Sequence, residues 1–221
     1  MVVLATKVYV AGDARERALQ SLRTLVDDVI GDLAVEVTIG VRRDEFPSVT
    51  IQGEDEVVAR AALREEWGEI TPNLRTGDTY VGTLEQWDED GFYVDAGQRI
   101  LIPTAHLGLG PGRPAQLVDR YGLVQHQRLE FVYDSPSRLA DAAHDRLYGF
   151  RRDTGRITIN SVTRGEVHAT VNRAGHANDI VTIDRLGLLE QSIVCKPGTD
   201  PPGLLAALGP YLPGEMRCIV S

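Results

Sequence analysis

Lysine is almost missing from this chain of 221 residues: it occurs at Lys7 and Lys196, and every other basic residue is arginine. Acids outnumber bases 32 to 23, for a net charge of -9. A lysine-poor, acidic surface is what molar salt favours, because repulsion must keep the chain soluble when the Debye length is only ~3 Å. A GC-rich genome also replaces lysine with arginine, so both origins stay open. Cysteine is equally scarce. Cys195 and Cys218 cannot form a disulfide framework, which points to free thiols in a reducing cytoplasm. No apolar run approaches the ~20 residues needed to span a bilayer. Met1–Leu4 is apolar but short and lacks a basic flank, so it reads as a strand and not as a signal peptide.

The length suits two or three compact units, and the charge is unevenly spread. Residues 1–71 hold 8 bases and 14 acids, residues 72–149 hold 7 and 11, and residues 150–221 hold 8 and 7. The C-terminal third is therefore the only part that does not repel a polyanion. In molar salt counterion release contributes little, so a net negative charge does not by itself exclude nucleic acid.

Hydrophobic periodicity predicts three α+β modules, at residues 1–71, 72–135 and 136–221. In the first, Lys7–Val10 alternates as a strand. Asp13 and Glu16 form a capping-box pattern ahead of Leu19, Leu22, Leu25, Val26 and Val29 at helical spacing, with Gly31 in the C′ position. Residues 34–41 and 48–52 alternate as strands. Glu54–Trp67 reads as a helix with Val57, Val58, Ala61, Ala62 and Leu63 inward, ended by Gly68. The order is βαββα. The second module is strand-rich, at 79–87, 92–96, 99–102 and 128–133, with an acidic hairpin turn at 88–91 and a Gly/Pro loop at 108–114. The third is a mixed α/β unit after a helical link at 136–150. Its strands fall at 156–160, 188–195 and 215–220 and its helices at 177–186 and 204–211. Thr163 and Glu166 form a second capping box.

Within the second module, Gly82, Leu84, Trp87 and Gly91, then Gly91-Phe92-Tyr93-Val94-Asp95-Ala96-Gly97, then Leu101, Ile102 and Leu107 resemble the small RNA-binding β-barrel of the ribosomal-protein type within the oligonucleotide-binding (OB) superfamily. The resemblance implies an OB-like barrel whose outer-face aromatics stack nucleobases, with Tyr93 at the principal stacking position and Phe92 beside it. Asp90 and Pro103 stand where that family carries aromatic or histidine side chains. Over the whole chain, Gly53-Glu54-Asp55, Trp67-Gly68, Arg120-Tyr121-Gly122-Leu123, Arg185–Glu190 and Cys195–Thr199 resemble an archaeal protein family named domain of unknown function 2110. That resemblance implies an archaeal source, in keeping with the salt signature, and brings no activity with it. A small α/β module joined to such a barrel also looks like accessory subunits of archaeal RNA polymerase.

Several further groups are candidates for chemistry. Lys196-Pro197-Gly198-Thr199 leads from a strand into a helix capped by Thr199 or Asp200. Gly198 and Thr199 could receive a phosphate there with Lys196 as its counter-charge, although Asp200 opposes an anion. Arg151, Arg152, Arg156, Arg164 and Arg173 cluster at the entry to the third module and form either a phosphate-contacting face or a salt-bridged surface. His176 and Asp179 could pair for proton transfer. His168, His176, Cys195 and Cys218 match no zinc spacing, and no hydrolase or nucleotide-binding motif occurs. The resulting expectation is a non-enzymatic, cytoplasmic RNA-binding or ribonucleoprotein-associated factor of archaeal translation or transcription. Its partner would be RNA, the ribosome or RNA polymerase, and it would use no cofactor, metal or membrane. Phe92 and Tyr93 would stack bases while Arg152, Arg156, Arg164 and Lys196 contact phosphate. The alternatives are an RNA-processing or modifying enzyme with its site in the third module, and a protein-binding scaffold. Oligomeric state is not readable.

Overall fold

A computed structural model describes residues 1–152 and 154–220. The chain is α+β in three units. The first holds β1 (Val2–Val3), α1 (Gly12–Ile30), β2 (Val35–Val41), β3 (Pro47–Gly53) and α2 (Glu56–Trp67). Its antiparallel sheet has the order β1-β3-β2. Leu22, Val26 and Ile30 of α1 and Ala59, Leu63 and Trp67 of α2 repeat every four residues, so each helix turns one stripe onto Val2, Leu4, Val49 and Ile51. That phase places Val57 and Val58, expected inward, on the far side of α2, where they are exposed. The expected Asp13 cap is absent, because α1 begins at Ala11 with no side-chain bond to its N-terminus. The first strand lies within Met1–Leu4, as read from the sequence, whereas Lys7–Val10, also expected as a strand, has no regular structure.

The central unit holds β4 (Thr79–Trp87), β5 (Gly91–Asp95), β6 (Arg99–Pro103), α3 (Pro114–Tyr121), β7 (Arg128–Val132), β8 (Arg138–Leu139) and α4 (Asp141–Phe150). The strands form one antiparallel sheet, β6-β5-β4-β7-β8, curled into a half-barrel so that the outer strands β6 and β8 approach each other. Leu84, Phe92, Val94, Ile102, Leu129 and Phe131 point into the curl, and α3 and α4 fill it with Leu117, Tyr121 and Leu147. The curl needs close backbone contact. A Cβ on Gly82 would lie 3.1 Å from the Asp95 carbonyl and 3.3 Å from the Phe131 ring. Gly97 turns the chain at φ +85°. Helix α3 was not anticipated. Its start is marked by Pro114 at the first helical position, with Gln116 accepting from the Arg113 amide.

The C-terminal unit holds β9 (Arg156–Ile159), α5 (Arg164–Arg173), β10 (Ile180–Arg185), β11 (Gln191–Cys195), α6 (Pro201–Leu208) and β12 (Met216–Ile219), in the order β10-β11-β9-β12. The Thr163/Glu166 capping box forms as expected. The expected helix over 177–186 is instead a short 3-10 turn followed by β10. The β-branched run Ile180-Val181-Thr182-Ile183 fits the sheet better than a helix.

Two buried polar clusters join the units. The Lys7 ammonium sits 3.1 Å from Glu85 and 2.9 Å from Asp95 of the half-barrel. Burial alone would lower its pKa, but the two carboxylates outweigh that and raise it. Burial likewise resists ionisation of Glu85, yet hydrogen bonds from His126 and Thr83 and the charges of His126 and Lys7 hold its pKa down to about 2. Two residues on, the Tyr9 hydroxyl donates to Glu190 Oε1 at 2.6 Å and accepts from the Ser161 amide at 2.9 Å, while its ring lies 3.9 Å from that of His126. Glu190 is fully buried, and its Oε2 finds no partner among the described residues. Burial pushes its pKa up to about 8, against the opposing pull of Tyr9 and Arg128.

Glu190 therefore binds a proton in the folded state that it has lost in the unfolded chain between roughly pH 4.5 and pH 8. Its contribution to stability falls as pH rises through that window and is lowest above it. Glu190→Gln keeps an acceptor for Tyr9 and removes the titration. Denaturant midpoints at pH 5.5 and 8.5 should show the variant gaining stability over the natural chain at the higher pH and little at the lower. An equal difference at both pH values would mean that Glu190 does not titrate there.

Candidate nucleic-acid interface

The outer face of the half-barrel is divided in two. Along β5 the side chains alternate, with Phe92 and Val94 inward and Tyr93 and Asp95 outward. The Asp95 end is covered by the N-terminal unit through Lys7. Gly97, next to it, meets Ile70, whose methyl would stand 2.7 Å from an added Cβ. The other end is open. Cross-strand pairing aligns Gln86 of β4, Tyr93 of β5 and Leu101 of β6 in one row. A bulge between Leu84 and Gln86 resets the alternation of β4 so that Gln86 joins the row.

Tyr93 is the centre of that row. The Arg99 guanidinium lies over its ring at 4.1 Å, and Arg99 also donates to Gln86 Oε1 at 3.2 Å. The Tyr93 hydroxyl faces the acidic hairpin. A hydrogen bond to Asp88 comes first among the causes that raise its pKa, so the phenol stays protonated. Leu101 is exposed beside it. The result is a flat strip of one aromatic ring, one guanidinium, one amide and one aliphatic side chain, which suits stacking and base-edge hydrogen bonds. The same hairpin places Asp88 and Asp90 near the tyrosine, where they repel phosphate.

The other expected contacts are scattered. Phe92 is completely buried in the half-barrel core. It cannot stack a base, because its place in the strand alternation turns it to the opposite face from Tyr93. Arg156 is also buried. It is held by Asp184 at 2.7 Å and Ser192 at 3.2 Å, and lies over the Phe150 ring at 4.4 Å. This is a structural role at the joint between α4 and the C-terminal sheet. Arg152 and Lys196 are both exposed, and the Cys195 amide, next to Lys196, donates to the Gly155 carbonyl. Arg164 is exposed at the far end of the same sheet, near Arg185. Cys195 pairs with Ile180 and Gln191 with Arg185, so the strand between the two basic places spans roughly 16 Å. Arg99, the guanidinium nearest the tyrosine, was missed. Its signal was present, because the three-residue turn Ala96-Gly97-Gln98 sets it opposite Asp95, diagonal to Tyr93 on the outer face.

The loop after Lys196 is occupied by its own side chains. Thr199 donates its hydroxyl to the Asp179 carbonyl at 2.9 Å, and Asp200 accepts from the Gly203 amide at 3.2 Å as the cap of α6. The capping carboxylate fills the position where an anion would sit at Gly198 and Thr199. His176 Nδ1 and Asp179 Oδ2 are 2.7 Å apart, on the rim of a shallow depression shared with Thr199, Asp200 and Leu204. Lys196 does not line it. Asp200→Ala removes the cap and should lower stability by about 1 kcal/mol, measured by chemical denaturation. No loss would mean that the turn alone sets the start of α6.

No helix among the described residues is long and apolar enough to cross a membrane. No curated protein matches the chain. Three family models match it in succession: the DUF2110 N-terminal domain over residues 1–73, the DUF2110 central domain over 74–151 and the DUF2110 C-terminal domain over 154–220. Together these models span all three units of the fold, and the chain belongs to the DUF2110 family.

Proposed function

We propose that this protein is a non-catalytic RNA-binding factor that holds single-stranded RNA on the open half of its central sheet, as part of an archaeal ribonucleoprotein such as the ribosome or a transcription complex. The observation that carries this reading is the outward Tyr93 ring beneath Arg99 on a curled antiparallel sheet. That arrangement resembles the stacking surface of an OB-like barrel of the ribosomal-protein type, which supports this reading. A base entering the strip takes one face of the tyrosine, and the arginine then stacks on it or reaches a phosphate. Leu101 extends the apolar floor, and Gln86 offers a donor and an acceptor to a base edge. The exposed Arg152 and Lys196 suit a second contact with a longer strand. The acidic, arginine-dominated surface fits a salt-rich archaeal cytoplasm, in which stacking rather than ionic attraction supplies the affinity.

The test is fluorescence anisotropy with a labelled single-stranded RNA of mixed sequence in molar potassium chloride. Tyr93→Ala should weaken binding about tenfold, the equivalent of about 1.4 kcal/mol for one lost stack. Tyr93→Phe should bind nearly as well as the natural chain. Because stacking carries the affinity, the dissociation constant should change little between 1 and 2 M salt. Unchanged affinity for Tyr93→Ala, or no binding by the natural chain to RNA or to ribosomal particles, overturns the proposal.

A further inference from the structure

We infer that the free edge of β2 pairs with the same edge of a second copy of this chain, antiparallel about a two-fold axis at Thr38, so that two three-stranded sheets become one of six strands. Strand β2 is the outermost strand of the N-terminal sheet. It pairs with β3 from Val35↔Gly53 to Val41↔Pro47. The Arg42 amide, just beyond, donates to the Phe46 carbonyl at 3.0 Å. In an antiparallel ladder the backbone groups of alternate residues point to opposite sides. The even-numbered residues of β2 therefore bond to β3. The same rule holds one strand over, where the Leu4 amide donates to the Pro47 carbonyl at 2.9 Å, turning the odd residues of β3 towards β1. Val37, Ile39 and Val41 are left directing their N–H and C=O groups outward, as is the Val35 carbonyl, while the Val35 amide donates to the Leu33 carbonyl at 2.9 Å.

The same four residues carry the apolar side chains of β2. Val35, Val37 and Ile39 line a groove beside α1 together with Val26, Ile30 and Leu33, rimmed by Arg23 and Asp27. Val37 is 37% exposed within it. An open, regular, apolar edge of seven residues invites pairing unless something blunts it. The other sheet edges are blunted. Strand β10 carries a bulge between Ile180 and Thr182, β12 packs against α3 and α6, and β6 and β8 curl towards each other. Strand β1 is only two residues long. Strand β2 has no bulge, proline or lysine.

The charges select a second copy as the occupant. Antiparallel pairing centred on Thr38 sets Val37 opposite the partner's Ile39 and Val35 opposite the partner's Val41, so the outward groups of Val37 and Ile39 all find partners and the Val41 amide meets the partner's Val35 carbonyl. It also runs the two α1 helices past each other in opposite directions along the rim. Arg23 of one copy then approaches Asp27 of the other, twice. At the ends, Arg43 of one copy approaches Asp32 of the other. All four of these residues are exposed, and none of them forms an ion pair within the chain among the described residues. An unrelated strand would have no reason to match this alternation.

The natural chain should sediment at about twice its 24.2 kDa in a dilution series at molar salt. Val37→Pro removes only an outward donor and leaves the β3 ladder intact, so it should raise the dimer dissociation constant at least tenfold with an unchanged circular dichroism spectrum. Arg23→Asp should also dissociate the dimer, and adding Asp27→Arg should restore it, which separates lost pairing from lost folding. The register has its own readout. Thr38 would face itself in a non-hydrogen-bonded pair with Cα atoms about 4.5 Å apart, within disulfide reach. Thr38→Cys should therefore crosslink rapidly under mild oxidation, and Glu36→Cys should not. A natural chain that is monomeric at every concentration, or equal crosslinking by the two cysteine variants, overturns the inference.

Discussion

One buried ammonium fixes the arrangement of the N-terminal and central units. Lys7 is one of two lysines in the chain and is nearly inaccessible, with Glu85 and Asp95 both within 3.1 Å. An unpaired charge in that position would cost several kcal/mol, so the N-terminal segment cannot lift from the half-barrel without exposing all three groups or stranding one of them. The compact ammonium suits the site. It approaches two carboxylates from one point and lies 5.0 Å from the Phe46 ring, where a planar guanidinium would need more room. This accounts for a lysine surviving in a chain that otherwise uses arginine. It also accounts for the loss of strand structure at Lys7–Val10: the segment spends its polar groups on the neighbouring units and not on a ladder.

The second cluster extends the same logic to the C-terminal unit. Tyr9 reaches Glu190 and Ser161, and the Thr6 hydroxyl accepts from the Leu188 amide at 3.0 Å. Thr6, Lys7 and Tyr9 of one extended segment thus touch both other units. The N-terminal unit acts as a clamp across the chain, and its placement decides which half of the central sheet stays open. Asp95 is closed over and Tyr93, two residues earlier on the same face, is left outside.

Much of this was legible in the sequence, and the failures have physical causes. The βαββα order and the Thr163/Glu166 cap follow from local periodicity and turn chemistry, and the curl of the central sheet from the resemblance to a small barrel, so they read correctly. The outward direction of Tyr93 also reads from alternation, and the same alternation should have placed Phe92 inside; neighbouring strand residues cannot share a face. Val57 and Val58 mislead because apolar character was taken for burial, whereas the phase of α2 is set by Ala59, Leu63 and Trp67. Residues 177–186 mislead because helical and strand spacings overlap in a short apolar run, and only the pairing with β11 decides. The buried status of Lys7, Arg156 and Glu190 was not legible at all. Their polar partners, Glu85 and Asp95 for Lys7, Asp184 and Ser192 for Arg156 and Tyr9 for Glu190, lie more than twenty positions away, and no local pattern marks such a partner.

The acidic hairpin beside Tyr93 links the proposed role to the chain's composition. Asp88 and Asp90 stand where a phosphate backbone would pass, and in dilute salt they would oppose a polyanion over a Debye length of ~10 Å. In molar salt that reach falls to ~3 Å, shorter than the distance between stacked bases and the phosphates beside them. A ring and a guanidinium lose little to salt, because stacking depends on contact and not on long-range charge. The proposed binding face of Tyr93, Arg99, Gln86 and Leu101 would therefore keep its affinity in salt that screens a lysine-rich face. In the proposed role, the hairpin's carboxylates, which would oppose RNA in a dilute cytoplasm, would be screened from its phosphates in molar salt.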